Sequence, residues 1–507
     1  MHLGIEMTGK LMDSRLSKFF AFLSGLLAAQ GIAFFQVYDS NLAMHQRITG
    51  IIQSGYAHMP NANLVAMLKM WLPAFAGGVF FSLSIGAGLA LVTIAILWIW
   101  EAVCRRKKSC LYFFVGLWAS FLIFVNLAKI SIFPSLYVIC IPAVVSYAYK
   151  RLHRRERSGG RRLIVVCHLA CIAVLALIWA TQARSGMFLV IRDNLLLTNP
   201  VGMKINGFYY RYTHYSAEVI TALHQKLFKT YRRSIDHSPE LAHRLDYALA
   251  GQGYFRLSAG KQEDIHIKQE KDQLVFDSGG KQSVFQIAVT DFLKAPQTAL
   301  KTLSIKLDGY KLFRRMIFYS LLIAFPITLY WMLHTAVASG LSLLLAAQKA
   351  SLLGILVCFL LGAGLFVPVY LGRDKDIGKD QLAEALTNRN WRVQVSALKS
   401  IAHDNLEIFR IGPYRQLMQS PHVPVQYWLA QALGKSRHPQ TYQDLIKLLH
   451  AAHPNVVCQA VAGIGRRGSA RDIPRILSLI EHTNHWYILR YAYHALRNLG
   501  WKQKKSE

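Results

Sequence analysis

The chain is 507 residues long, 53% hydrophobic and 17% charged, and its 58 Lys and Arg against 27 Asp and Glu give a formal net charge of +31. Soluble domains carry about a quarter charged residues, so the composition excludes a wholly water-soluble chain. Nor does the positive charge select nucleic acid as a partner, because no nucleic-acid motif accompanies it and much of it clusters in short connections between apolar runs.

Seven apolar runs, at about 19–37, 71–99, 111–128, 132–149, 163–181, 316–336 and 351–371, reach or approach the ~20 residues that cross ~30 Å of hydrocarbon. The first starts near Phe19 and lacks a small-residue cleavage site, so it reads as a retained span. The second carries Gly77, Gly78, Gly86 and Gly88, which permit close helix approach, and Trp71, Trp98 and Trp100 stand near its ends as interfacial anchors. Arg15 and Lys18 precede the first run, Arg105, Arg106, Lys107 and Lys108 follow the second, and Lys150, Arg151, Arg154, Arg155, Arg157, Arg161 and Arg162 follow the fourth. Basic clusters mark the cytoplasmic side, so the N-terminus is expected in the cytoplasm and the stretches 38–70 and 182–313 outside it. Lys129 falls in the tight connection after the third run and is expected to reach the interface.

Near the last two runs the signals conflict. Arg314 and Arg315 on one flank and Arg373, Lys375 and Lys379 on the other would place both flanks inside. A long translocated segment overrides local charge, so 182–313 is kept outside. The tail beyond 372 joins it there if both runs cross, and lies inside if 338–371 holds a re-entrant piece; the outside placement is the expectation adopted.

Residues 182–313 read as a small α+β domain. Helical spacing covers 216–232 and 238–250, the second opened by Ser238-Pro239-Glu240. Alternating runs follow at Tyr254–Leu257, Ile265–Ile267, Leu274–Phe276 and Phe285–Val289, with Asp277-Ser278-Gly279-Gly280 as a hairpin-type turn, which predicts a short antiparallel meander. The most distinctive patch runs from Phe208 to Tyr215. Tyr209, Tyr210, Tyr212 and Tyr215 beside Arg211 suit stacking and cation–π recognition of a partner. The plainer reading is a half-buried segment at a membrane interface, where tyrosine collects.

The tail is built from internal repeats. Segments beginning at Val393, Val425, Val456 and Ile488 superimpose without gaps, and their starts are 32, 31 and 32 residues apart (393 to 425, 425 to 456, 456 to 488). In each, apolar residues recur on one helical face: Val393, Ala397 and Ile401; Val425, Leu429 and Leu433; Val456, Ala460 and Ile464; Ile488, Ala492 and Leu496. Companion helices are expected at about 378–387, 411–419, 440–450 and 471–481. Each unit is then a helical hairpin that hides its apolar face only by stacking on its neighbours. The second and third segments close on Gly434 and Gly465, read as helix stops.

With Val425, Ala430, Ala432, Leu433 and Gly434, and more loosely Val456, Ala460, Ile464 and Gly465, the tail resembles the bacterial HEAT-like repeats of the phycobilin-lyase type. The first copy has Ala402 and the last Arg497 where that pattern has glycine. The resemblance implies an α-solenoid that binds partners, and it does not imply lyase chemistry.

No other motif names a reaction. Walker A, GxSxG and HExxH are absent from the sequence, so the reading leans away from an enzyme without deciding it, and no cofactor is expected. The tail histidines fall at turns without ligand spacing, and Cys167-His168-x-x-Cys171 reads as small thiols in a helix interface, so no metal site is expected. His334 and Lys349 flank the last turn as candidates for an ion path. Asp39, expected in the first outer loop, resembles the acid that membrane glycosyltransferases keep there.

The fold class predicted is mostly α: a polytopic membrane protein of about seven spans with a small α+β extramembrane domain and a C-terminal α-solenoid. Its parts are 1–181 with about five spans, 182–313 as the α+β domain, 314–372 with two more spans, and 373–507 as four HEAT-like repeats. The function expected is a scaffold or assembly factor anchored in the inner membrane of a bacterial envelope, docking a protein partner through its repeats. The docking residues expected are Tyr209, Tyr210, Arg211, Tyr212, Tyr215, Arg466 and Arg467. A transporter or channel component and a membrane-embedded transferase are the alternatives.

Overall fold

The computed structural model describes residues 14–127, 130–152, 161–182, 186–234, 238–258, 263–278, 285–372 and 377–503. Helices dominate, and one five-stranded sheet interrupts them. Lys129, Arg154, Arg155, Arg157, Arg373, Lys375 and the Gly279-Gly280 turn lie outside the described residues. The chain divides into two compact units. One takes residues up to Tyr38, Ala74–Met187 and Gly309–Leu371; the other takes Asp39–Pro73, Phe188–Asp308 and the chain from Gly372 onward.

Among the described residues, seven helices are long and apolar enough to cross a membrane: Leu16–Gln53, Trp71–Ala102, Lys108–Asn126, Ile132–Leu152, Leu163–Gln182, Lys311–Leu341 and Ala347–Leu371. Every predicted apolar run has its helix. The first is longer than its run, because Ser14–Gln53 is 40 residues of unbroken helix, about 60 Å at 1.5 Å per residue. Asp39 therefore lies exposed in mid-helix, and the expected outer loop begins only after Gln53.

Small residues let the helices of the first unit approach closely. A Cβ on Gly86 would stand 2.5 Å from the Ala29 Cβ, so no larger residue fits there. Next to it, Ser82–Gly86 widens into a π-helical turn. Such a turn loosens local backbone pairing, and hydroxyls fill in: Ser84 Oγ donates to the Phe80 carbonyl (2.7 Å) and Ser82 Oγ to Gln30 Oε1 (2.6 Å).

The last three long helices of this unit share a polar cluster. His168 Nδ1 and the Tyr330 hydroxyl are 2.9 Å apart, and the His168 and His334 rings meet edge to face with centroids 4.4 Å apart. His334 Nε2 lies 3.4 Å from the Ser351 carbonyl. Cys171 is buried beside Ile164 and Ile355, with Cys167 packed against them. Of the two residues read as marking an ion path, His334 joins His168 in this cluster, and Lys349 is exposed. The two imidazoles come from helices more than 160 residues apart in sequence, which no local spacing reveals.

In the second unit the sheet has the order β2-β1-β3-β4-β5, with β1 Lys229–Ser234, β2 Tyr254–Arg256, β3 Ile265–Glu270, β4 Gln273–Asp277 and β5 Phe285–Ala288. The expected antiparallel meander exists only as β3-β4-β5, because β1 runs parallel to both its neighbours. The expected helix over 216–232 is also corrected. A helix over Pro200–Ile220 ends there, and residues 229–234 form β1, burying Lys229, Thr230 and Tyr231 against the sheet. Helix Pro239–Gly251 connects β1 to β2, and Ser238 caps it as expected by accepting from the Leu241 amide (3.3 Å).

Tyr231, Leu245, Leu249, Ile265, Ile267, Leu274, Phe276, Phe292, Leu300 and Leu303 make the core of this layer. Helix residues after Asp39 belong to the same unit: Arg47 bonds Asp264 (2.9 Å) and lies 3.7 Å from Glu218 of the Pro200–Ile220 helix.

The repeats follow the predicted pairing. The second helices are Trp391–His403, Val423–Leu433, Pro454–Arg467 and Trp486–Asn498. Before them come Leu382–Thr387, the broken pair Ile408–Ile411 and Tyr414–Gln419, Pro439–Lys447 and Ile473–His482. Ala397, Ile401, Val425, Leu429, Leu433, Val456, Ala460, Ile464, Ala492 and Leu496 are fully buried, Ile488 nearly so, and Val393 half-buried at the outer end.

Gly434 is the C-cap of its helix, as expected, with right-handed helical angles, whereas Gly465 lies inside its helix and ends nothing. A Cβ on Gly434 would stand 2.8 Å from the Gly463 Cα, and one on Gly465 2.7 Å from the Ala495 Cα. Both glycines bring successive second helices together, and Gly434 also ends one.

Candidate functional site

The second helices present two surfaces, and the chain itself covers one of them. The segment from Phe188 through the helix Pro200–Ile220 packs along the aromatic side chains of repeats two and four. Arg192 donates to Asp193 from Nε (2.8 Å) and Nη2 (2.7 Å), and both side chains are buried. The Arg192 guanidinium lies 4.0 Å above the Tyr427 ring, and the second Asp193 oxygen accepts from Trp428 Nε1 (2.8 Å). Arg392 of repeat one reaches Asn194 (3.3 Å). A buried ion pair is tolerated only when its remaining lone pairs and faces are satisfied, and the repeats supply those partners.

Farther along, His214 stacks on Trp486 with centroids 4.9 Å apart and planes within 11°. Trp486 Nε1 donates to the Tyr215 hydroxyl (3.2 Å), the Thr213 and Tyr487 hydroxyls are 3.0 Å apart, and Tyr210 meets the Tyr487 ring edge to face. Burial, then the positive charge of Arg490 and the neighbouring His485, push the His214 pKa down to about 3.

This contact redefines the tyrosine-rich patch. It is a stretch of the helix Pro200–Ile220. Tyr215 is buried at 1% exposure, which removes it from the expected partner-facing set because the last repeat already occupies it. Tyr210 and Tyr212 are half-buried, while Tyr209 and Arg211 remain exposed. Sequence reasoning missed Arg192, Asp193, Tyr427, Trp428, Trp486 and Tyr487. The available signal was the aromatic residues on the second helices outside the core stripe, positions that face water in an uncovered solenoid.

The other surface is an open cleft of about 650 Å³ at the C-terminal ends of the second helices of repeats two and three. It brings the predicted Arg466 and Arg467 together with Lys435, Arg437, Tyr442 and Gln443. Their tasks differ. Arg467 donates to the His438 carbonyl (2.9 Å) and Thr441 Oγ1 (3.1 Å), binds the Leu433 carbonyl, and lies over the Tyr442 ring. Lys435 Nζ caps the Ala402 carbonyl (2.6 Å). Both neutralise carbonyls that helix ends leave unpaired. Among the described residues, no carboxylate pairs with the side chain of Arg466 or Arg437, and both are exposed.

Most tail histidines sit at turns, caps or helix ends, and His494 lies inside the helix Trp486–Asn498. His438 and His453 occupy N-cap positions and accept through Nδ1 from the Gln440 and Asn455 amides (3.2 and 3.3 Å). His422 and His485 hold the same position before their helices. Burial, with Arg192 next in weight, lowers the His453 pKa to about 4, which keeps the cap neutral and able to accept. Among the described residues, no group of three or more His, Cys, Asp or Glu side chains is assembled for a metal.

A family model for HEAT repeats matches residues 413–497, covering repeats two to four and leaving out the first. Comparison with curated proteins and with solved structures returns no match. The C-terminal region thus carries HEAT repeats, an architecture suited to protein–protein interaction.

Proposed function

We propose that the protein is a membrane-anchored scaffold or assembly factor of a bacterial envelope, and that the basic cleft of its HEAT repeats docks an acidic surface of a partner protein. The observation carrying this reading is the contrast between the two repeat surfaces. The aromatic one is filled by the chain's own helix, and the cleft is open with the side chains of Arg466 and Arg437 unpaired by carboxylates among the described residues. Unmatched exposed cations steer and orient an acidic partner.

Anchoring rests on the seven long apolar helices. The placement of the tail on the outer side, with 188–308, is supported by their packing in one compact unit through buried groups such as Asp193 and His214. Two segments sharing a core belong on one side of a bilayer, which requires both Lys311–Leu341 and Ala347–Leu371 to cross. The test is a photo-crosslinking residue at position 437 of the full-length protein in its native membrane. A discrete adduct that disappears with Arg466→Glu supports the reading; no adduct, together with normal function of R437E/R466E, sinks it.

A second reading, a transporter or channel component, is favoured by the His168, Tyr330 and His334 cluster, since ionisable groups inside apolar helices are costly and usually functional. His168→Asn and His334→Asn would abolish a proton-linked flux on that reading and leave partner crosslinking at 437 intact. The transferase alternative has no comparable support, as Asp39 lies exposed along a helix.

A further inference from the structure

A second cavity of the Asp39–Pro73, Phe188–Asp308 and Gly372–Glu507 unit has a different chemistry from the basic cleft. It measures about 340 Å³ and lies where residues 63–70, the helix Pro200–Ile220 and the start of the last repeat's second helix converge. One wall is apolar: Leu64, Met67 and Met70. The lining also holds Arg211, Asn484 and His485 beside Trp486, and among the described residues no Asp or Glu lines the cavity.

Two of these groups are unsatisfied. Among the described residues Arg211 makes no hydrogen bond or ion pair with a carboxylate, and it is an exposed residue of the cavity lining. His485 Nδ1 is buried without a hydrogen-bond partner, a state that ordinarily costs ~1–3 kcal/mol. A site with one unmatched cation, one orphaned imidazole nitrogen and a flexible thioether wall suits a ligand with an anionic head and an apolar stem.

Other ligand classes fit less well. A divalent cation finds no carboxylate there. A flat aromatic or sugar ring finds the Trp486 face taken, since His214 stacks on it. A folded partner cannot enter about 340 Å³. The chain itself adds a direction: Met70 is 53% exposed, and the next two residues, Trp71 at 65% and Leu72 at 50%, begin the apolar helix Trp71–Ala102. The apolar wall of the cavity thus runs into the start of that helix.

We propose that this cavity binds the phosphate headgroup and first methylenes of an anionic amphiphile, with the phosphate on Arg211 and His485 and the stem along Leu64, Met67 and Met70. Its closeness to a bilayer surface rests on the reading of Trp71–Ala102 as a span, whereas the binding chemistry does not. Arg211 was expected to face a protein partner through its tyrosine neighbours; here it faces a lipid-like anion instead. The ligand has two sources, a free single-chain phosphate or a membrane phospholipid.

The experiment uses full-length protein in zwitterionic nanodiscs with a diazirine-bearing dodecyl phosphate. After photolysis, mass spectrometry maps the labelled peptides. Labelling is expected on residues 64–70 or 484–486, competed by unlabelled dodecyl phosphate and not by dodecanol. Arg211→Gln is expected to weaken competition at least ~10-fold, with Arg211→Lys retaining most of it. His485→Phe reports the imidazole, and an unchanged hydrogen-exchange pattern of 200–220 shows that each variant stays folded. Nanodiscs containing phosphatidate separate the sources: suppressed labelling assigns the site to membrane phospholipid, and unaffected labelling to a free amphiphile. Equal competition by the alcohol, labelling confined to the long apolar helices, or full labelling of R211Q overturns the proposal; so does labelling of these peptides without saturation.

Discussion

The two surfaces of the repeat tail differ in what their side chains have already found. On the aromatic one, three side chains of the repeats have polar partners from residues 188–220: Trp428 with Asp193, Tyr487 with Thr213, Trp486 with Tyr215. In the cleft, Arg467 and Lys435 are spent on backbone carbonyls, while the side chains of Arg466 and Arg437 pair with no carboxylate among the described residues, Glu407 accepting only from the Arg437 backbone amide. The lesson is that a solenoid's most conspicuous side chains can be its internal seam. Where a surface is satisfied by its own chain, substitutions should act on stability; where it is not, they should act on association.

That division can be broken most forcefully at Asp193. Asp193→Ala leaves the Arg192 guanidinium buried without its carboxylate and strips Trp428 of its acceptor. Removing one member of a buried pair costs about 3–5 kcal/mol, so hydrogen exchange of the helix Pro200–Ile220 should rise to that of a detached segment. Unchanged protection would mean the seam is not held there. Trp486→Ala, which deletes a buried indole and the His214 stack, should cost a similar ~3–5 kcal/mol in chemical denaturation and leave crosslinking at 437 detectable under stabilising conditions.

Acid should open the same seam. The His214 pKa is held at about 3, and that of His485 at about 4 by burial, Arg211 and His453, against a usual 6.5. The unfolded imidazoles therefore take up protons first as the pH falls. Stability is full above about pH 6.5 and declines on acidification toward pH 4, by about 3 kcal/mol for His214 alone. Denaturation midpoints at pH 7 and pH 4.5 check the sign, and His214→Phe should flatten the slope. An intermediate effect belongs to Arg467→Ala: losing donors to two carbonyls and a hydroxyl should cost ~1–3 kcal/mol, read as a lower unfolding midpoint. Smallest in stability is Arg466→Glu, expected within ~0.5 kcal/mol of the parent and yet eliminating the crosslinked adduct at position 437.

Much of the fold was legible because it is written locally. Twenty apolar residues in a row, or Val-x3-Ala/Leu-x3-Ile/Leu at intervals of 31 or 32, state a helix and its buried face without reference to anything distant. The core positions from Ala397 to Leu496 are buried for that reason. What was not legible depends on partners far along the chain. Residues 229–234 hold strong helical neighbours on one side, and only the flanking strands β2 and β3 make them a strand. Gly434 reads as a stop and is one, but its close approach to Gly463 is not written locally. The site divides in the same way. Arg466 and Arg467 stood out as a basic pair, but their separate fates depend on the His438 and Leu433 carbonyls, and Tyr215 looked free until Trp486 was placed beside it.

The central claim is that the partner uses the cleft while the chain's own helix keeps the aromatic surface. It is tested most directly by tethering that helix: Thr213→Cys with Tyr487→Cys, joined by a short bifunctional thiol reagent across hydroxyls that lie 3.0 Å apart. Measured in a protein carrying the photo-crosslinker at position 437, the tethered and untethered forms are predicted to give the same adduct in the same yield. Loss of the adduct on tethering would contradict the account, because it would mean that the helix must leave before a partner can dock.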